Sequence, residues 1–472
     1  MYQDEQSQKF SIPTFSGYNQ AVDESQLSPG QTPDGQNFIS RQGILEVTPG
    51  NVKYIASIVP GGVQTLMSFF KNQADGTVQR TLLASSPTTI YKWTGSAWQS
   101  IKTGLQSGRF SYINYQKGLT EIIILTNGID AMFKWDGVTF QDLGGAPFTP
   151  KGTSVSLHYE RVWVTGNRAE PNMVYFSKDM NPDYWEEVDP LGPDPEADAG
   201  GNVDIPTWDG GVNIGLSTIF DDVVIFKTYS LWKILGTYPG QYEKIRIHSS
   251  SGAIAQRSIV DGGIICLFLS MDGVFVYNGV QASSISHAIK DVIKNMNKAY
   301  RDKAVGVFYN NRYILAIPEG TNTENSTIVD YDTLTQQWDV MRGFNVNSFL
   351  IYNDTLLFSN NAGYILEYDK GNDFDGVPIV AYWDTPDTTY GNLNKTMRST
   401  KVYADIEFLT VGGVKISAVF DKKPASITIT GAIPKGKRLR GSGRKFHLRF
   451  ENVAGSRFKL RQPELHLDID ED

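Results

Sequence analysis

Residues Gly262 to Gly279 read GGIICLFLSMDGVFVYNG, and this stretch decides the fold. Ile264 to Ser270 is rich in apolar and β-branched residues, and Met271-Asp272-Gly273 is a turn signal. Val274 to Asn278 then returns as a second short strand whose aromatic end runs into Gly279. The pattern predicts a tight β-hairpin. It recurs as EIIILTNGIDAMFKWDG at Glu121 to Gly137, DVVIFKTYSLWKILG at Asp222 to Gly236, and TLLFSNNAGYILEYD at Thr355 to Asp369. A unit that repeats at roughly 40 residues, each copy too small to bury its own apolar face, predicts a radial β array.

Aligning the aromatic that closes each hairpin gives Trp93, Trp135, Phe176, Trp232, Tyr277, Tyr331 and Tyr368. Seven closing hairpins predict an all-β protein whose main body is a β-propeller of about seven blades, with six or eight within reach of the count. Two intervals are long, and each contains a recognisable insertion. The first, 189–211, is acidic and rich in Pro and Gly, which predicts a projecting loop. The second, 285–300, places Ile285, Ile289, Val292, Ile293 and Met296 at helical spacing and predicts a helix. Strands at Tyr54 to Val59, Thr65 to Phe70, Thr81 to Ala84 and Thr89 to Trp93 make a first blade. A propeller must hide its terminal edges, and Phe38 to Val47 is the candidate closing strand beside Tyr364 to Tyr368.

Residues 1–37 show little periodicity and carry Pro13, Pro29, Pro33 and Gly30, so they read as an extended arm. An arm with so few apolar residues is expected to order only on assembly, because burial would not offset its ordering entropy. The propeller then occupies 38–377. Beyond it, in 378–472, the strands lengthen and lose the aromatic-Gly ending. Thr400 to Thr410, Val414 to Phe420, Ala425 to Thr430, Arg444 to Asn452 and Phe458 to Ile469 alternate cleanly and predict an antiparallel β-sandwich.

Net charge is −8, divided as +5 in 378–472 and −13 in 1–377. An acidic body disfavours tight, sequence-independent nucleic-acid binding, which depends on neutralising many phosphates. The single cysteine, Cys266, lies within an apolar run and excludes both an intrachain disulfide framework and a multi-cysteine zinc site. The first thirty residues contain no apolar core of signal-peptide length, and no run of 18 apolar residues predicts a membrane-spanning helix. Synthesis in the cytosol is the expectation.

No active site is nominated, and no cofactor is expected. GAIPKGKR at Gly431 to Arg438 approaches the phosphate-cradling loop, but Arg438 replaces the magnesium-binding hydroxyl and no helix can open after it. The cations Lys435, Lys437, Arg438, Arg440, Arg444 and Lys445 read instead as a basic loop for an acidic protein surface. Ser177-Lys178-Asp179 with Asn181 and Tyr184 approaches a sialidase-type Asp-box turn, a structural element even where complete. Paired acids in Asp189 to Asp209 could serve a glycosidase in principle, although a solvated loop accounts for them. Asp369, Asp373 and Asp375 in DKGNDFDG alternate oxygen donors that could hold calcium, but the loop lacks a closing bidentate glutamate. The five histidines, His158, His248, His287, His447 and His466, show no metal-ligand spacing.

Arg41-Gln42-Gly43-Ile44, Thr48-Pro49-Gly50, Glu160 to Val164, Asn172 to Ser177 and Asn181-Pro182-Asp183-Tyr184-Trp185 follow one another in an order that resembles the β-propeller proteins of short-tailed phage tails. Asp222 to Gly236, Ser270 to Gly279, Gly443 to Asn452 and Phe458 to Leu465 extend the likeness, which covers most of the chain through diffuse turn-and-aromatic patterns. The chain resembles the tail nozzle (tail tubular protein B) group and, more distantly, the packaged-DNA stabilisation proteins of the head-to-tail connector. The resemblance implies a virion protein made in the host cytoplasm. It implies a homohexameric ring below the portal and adaptor, tail fibre or receptor-binding proteins as partners, and double-stranded DNA passing through during ejection without sequence-specific binding. A DNA-retaining plug and a carbohydrate-binding or carbohydrate-cleaving propeller are the alternatives.

Overall fold

In the strand Cys266–Ser270 every side chain is buried, yet the residues do not share one core. Leu267 and Leu269 face the apolar wedge toward the following sheet, while Cys266 and Phe268 face the wedge toward the preceding one. A two-residue period sends alternate side chains to opposite faces, so a strand covered on both sides reads as a continuous apolar run. The same logic builds the ring. The computed structural model describes residues 7–118, 120–144, 149–187, 198–248, 250–389, 395–431 and 436–470.

Seven four-stranded antiparallel sheets succeed one another as propeller blades: blade 1 at 65–103, blade 2 at 111–142, blade 3 at 154–204, blade 4 at 213–248, blade 5 at 260–284, blade 6 at 305–346, and blade 7 at 348–368 with one strand from earlier in the chain. Between them lie seven apolar wedges, and the wedge joining blades 7 and 1, with Leu350, Leu357, Val63, Leu66 and Leu82, completes the circle. Each of the seven closing aromatics sits on the third strand of its blade. Gly137 (φ 96°) and Gly279 (φ 88°) follow Trp135 and Tyr277 in the left-handed region, which a side chain there would oppose.

The closing strand is Asn51–Ile55, not Phe38 to Val47. It pairs antiparallel with Ile365–Tyr368 as the fourth strand of blade 7. Gly50, just before it, passes so close to Asp373 that a Cβ would lie 1.9 Å from the Asp373 carbonyl oxygen. Blade 1 therefore starts at Thr65 and takes its fourth strand from Trp98–Thr103, one strand later than expected. The insertion 189–211 is only partly a loop: Gly201–Asp204 is the fourth strand of blade 3, and 188–197 lie outside the described residues. The expected helix over 285–300 contracts to a 3-10 turn, His287–Ile289, and a helix of five residues, Lys290–Lys294. Its apolar face does what the spacing foresaw, since Ile289, Val292, Ile293 and Met296 are buried between blades 5 and 6.

The second body is a sandwich of two sheets, and it does not follow the boundary at 378. One sheet orders Phe38–Arg41, Ile44–Val47, Phe458–Asp470, Thr396–Phe408 and Lys437–Gly443, with Ser7–Ser11 also on Phe458–Asp470. The other orders Asp34–Gln36, Tyr382–Asp384, Phe446–Val453, Gly413–Phe420 and Lys423–Ile429. Residues 7–47 are thus woven into the sandwich, and the segment expected to be a free arm is packed within the single chain. Phe10, Ile12 and Phe15 are buried in the sandwich core, with Phe15 edge-on to Trp383 and Phe450 at 5.9 and 6.2 Å. A few aromatic anchors placed in a preformed core supply the burial that the segment's average composition does not suggest.

Polar contacts lock the sandwich to the outer strand of blade 6, Gln337–Val346. Arg312 Nε lies 2.8 Å from the buried Asp330 and its Nη2 3.2 Å from the buried Asp339, and the Ser40 backbone N–H donates to Asp339 at 3.2 Å. Burial pushes the Asp339 carboxyl up to about 6 against the pull of Arg312. Arg342 holds Glu319 at 2.7 Å and donates to the Gly35 carbonyl at 3.2 Å, while Arg457 spans Glu46 at 3.0 Å and the Gly371 carbonyl at 3.1 Å.

Candidate functional site

The first strands of the blades converge on the propeller axis, so the short segments around their starts border a common space. Those positions hold Gln64, Arg109, Thr153, Asn213, Gln256 with Arg257, Lys303 and Asn347, which line two axial cavities of about 550 and 140 Å³ on one face. Arg109 and Arg257 border both cavities, making them the partition between the two. The larger volume falls in the range of small-molecule sites.

The charges here are unequally satisfied. Arg109 pairs with Asp302 at 3.1 Å and also donates to its carbonyl at 2.8 Å; Lys303 pairs with Glu324 at 2.7 Å. Arg257 has one hydrogen bond, Nη1 to the Gln64 carbonyl at 3.0 Å, and among the described residues no carboxylate pairs with it. Burial, followed by repulsion from Arg109, pushes its guanidinium down to about 9. In the smaller cavity Asn325 is buried, and its Nδ2 donates to the Lys303 and Val346 carbonyls at 2.8 Å each. Among the described residues its Oδ1 has no hydrogen-bond partner. Behind the larger cavity, Lys227 is wholly buried and donates to Asn172 Oδ1, the Ile205 carbonyl and Asn213 Oδ1 at 2.7, 2.8 and 3.0 Å. Burial lowers its pKa to about 8.

The basic segment takes a different form from the expected loop. Lys435 lies outside the described residues, but Lys437–Gly443 is a strand at the free edge of its sheet. Leu439 points into the core, and Arg438 and Arg440 point out. Gly441 and Gly443 face inward where there is no room for a side chain: a Cβ on Gly441 would come within 2.6 Å of the Phe420 ring, and one on Gly443 within 2.6 Å of Asp421 Oδ2. The register sets Arg438 directly opposite Lys401, a like-charge pair. Arg444 is exposed, and Lys445 reaches Asp387 at 2.6 Å, which raises the lysine's pKa.

The structure does not bring the three calcium candidates together. Asp369 pairs with Arg41 at 3.4 Å, Asp373 accepts from the Gly376 N–H at 2.7 Å, and Asp375 pairs with Lys53 at 3.1 Å. Among the described residues no group of three or more His, Cys, Asp or Glu is placed to hold a metal ion. The Ser177 to Trp185 turn is a tie between blades: Asp183 receives Lys117 at 2.6 Å and Lys134 at 2.7 Å, and these bonds outweigh burial to lower its pKa to about 2. Cys266 is buried and its thiol is pushed up to about 12. No helix among the described residues is long and apolar enough to cross a membrane. Sequence reasoning missed the axial site because its residues come singly from seven blades, and Arg257 sits in AIAQRSIV, which matches no motif.

No known protein-family profile matches the chain, and no curated protein sequence matches it. Among solved structures it is similar to the BBS1N part of a complex with ARL6DN (9% identity, 68% of this chain and 97% of that one, TM-score 0.43). It is also similar to the Neurospora crassa Pan2 WD40 domain (11%, 70% and 97%, 0.41) and to a computationally designed protein, Ika8 (12%, 76% and 99%, 0.37). Nothing about function carries over at these scores. The propeller rests on its own sheet order.

Proposed function

We propose that this protein is a structural component of a bacteriophage tail, a ring-forming nozzle or hub that contributes to the DNA ejection channel, as the proteins it resembles imply. The observation that carries the reading is the free sheet edge Lys437–Gly443 with Arg438 and Arg440 facing outward and Lys401 opposite. Cations along an edge oppose pairing with an identical edge but leave it open to an acidic surface. Counted by body, residues 48–377 carry −9, while the sandwich with its N-terminal strands carries +1. A contact from the edge of one copy to the acidic propeller of the next is heterologous, and such contacts close into rings when the rotation allows.

Any DNA path then runs between copies, because axial cavities of about 550 and 140 Å³ are far too small for a duplex. An acidic wall on that path would let phosphates slide rather than stick. Electron micrographs of the purified chain test the proposal. Rings with a central opening are expected. Monomers at every concentration, or monomers that retain or cleave polysaccharide, would overturn it in favour of a carbohydrate-directed propeller. Rings holding duplex DNA against the basic edges would favour the plug.

A further inference from the structure

The axial cavities present two unfinished polar groups whose needs are complementary. Arg257 is a part-buried guanidinium lining both cavities, held among the described residues by one backbone carbonyl and faced by a second cation, Arg109, that already has its own carboxylate. Asn325 Oδ1 is a buried acceptor with no donor among the described residues, and the residue borders the smaller cavity together with Arg257. A cavity-lining charge without a counterion and a buried acceptor without a donor are both unfavourable, and such groups persist where something else completes them.

We propose that the axial cavity binds a small oxyanion that also carries a hydroxyl group, with Arg257 receiving the negative oxygens and Asn325 Oδ1 accepting from the hydroxyl. A guanidinium matches carboxylate or phosphate oxygens with two parallel hydrogen bonds, which gives direction as well as attraction. The Arg109–Asp302 and Lys303–Glu324 pairs are internally neutral, so the charge left over at the partition is that of Arg257. Arg168, exposed at the rim of the larger cavity, adds a positive entrance. The smaller cavity, at about 140 Å³, admits a single acidic group and a few substituents, and the larger one gives the remainder of the molecule room. Two sources share this chemistry, hydroxylated carboxylates such as sugar acids and hydrogen phosphate. The inference does not depend on the assembly reading, since the cavity belongs to one copy.

Isothermal titration calorimetry of the full chain at low salt and pH 7 tests it, with glucuronate, inorganic phosphate, acetate and glucose as the probes. Saturable binding of glucuronate or of phosphate is expected, and whichever binds names the source. Acetate, which lacks the hydroxyl, and glucose, which lacks the charge, should each bind at least tenfold more weakly. Arg257→Gln should weaken the binding at least tenfold, and Arg257→Lys, which keeps the charge but not the two parallel donors, should bind between Arg257→Gln and the unchanged chain, with thermal melts confirming that both variants fold. Binding of none of the probes, equal binding of acetate or glucose, or undiminished binding to Arg257→Gln would overturn the proposal. A ring that forms but binds no probe removes this inference alone; a monomer that binds glucuronate removes the assembly reading alone.

Discussion

Lys227 carries its charge into the wall between blades 3 and 4, where its ammonium group donates only to neutral oxygens while Asp209 and Asp204 act on it from farther off. Three hydrogen bonds keep it in place, and burial makes the proton easier to lose than in the unfolded chain. Between about pH 8 and the ordinary lysine value near 10.4, the unfolded chain therefore binds more protons than the folded one, and this residue's contribution to stability rises with pH. Lys227→Met should cost about 1–3 kcal/mol at pH 7 by stranding three acceptors. Urea unfolding of both proteins should show the gap widening as pH rises through that window. A gap that narrows would mean that the ammonium is stabilised where it sits.

The N-terminal strands bring the largest revision at the scale of elements. Phe15 is wedged between Trp383 and Phe450, so Phe15→Ala should cost about 3–5 kcal/mol in chemical unfolding, within the usual range for a buried aromatic. Limited proteolysis of the monomer should leave residues 7–47 intact. Early cleavage there, before any assembly, would contradict the packing of Phe10, Ile12 and Phe15 in the sandwich core. The blades were legible because each repeats a local signal: an apolar second strand, a turn, and an aromatic such as Trp135 or Tyr277 on the third strand. The N-terminal strands were not, since Ser7–Ser11 finds its partner at Glu464 to Asp468 and nothing local announces a contact at that separation. Lys437–Gly443 escaped for another reason. Leu439 is the one large apolar residue it buries, and its inward glycines, placed there to make room for Phe420 and Asp421, read as turn residues. The axial site was invisible for want of any motif around Arg257 or Asn325, whereas the basic edge was legible in composition and misread only in shape.

Over the whole molecule, the charge difference between the two bodies is smaller than the split at 378 suggests, because residues 1–47 bring six carboxylates and two cations to the sandwich. In the proposed ring, attraction between copies would rest on the local edge rather than on a uniformly basic body. Arg438→Glu combined with Arg440→Glu should shift sedimentation from rings toward single copies while leaving the melting temperature of the monomer within a few degrees. Exposed pairs contribute about 0–1 kcal/mol each, so either substitution alone should do little, and salt should weaken the wild-type ring in the same direction. Rings that survive the double substitution unchanged would place the contact elsewhere.

The weave of the two ends also sets an order of events during synthesis. Ser7–Ser11 pairs with Glu464 to Asp468, and Asn51–Ile55 with Ile365–Tyr368, so the first segments to leave the ribosome must wait for almost the last. At translation rates of about 5–20 residues per second these waits are on the order of tens of seconds: the blades can stack in turn, but the ring cannot shut before residues 365–368 emerge, nor the sandwich before the final strand. The propeller edge stays open until residues 365–368 emerge, and the anchors Phe10, Ile12 and Phe15 lack their pockets until the final strand does, which makes late synthesis the stage when neighbouring nascent copies are most exposed to exchanging ends.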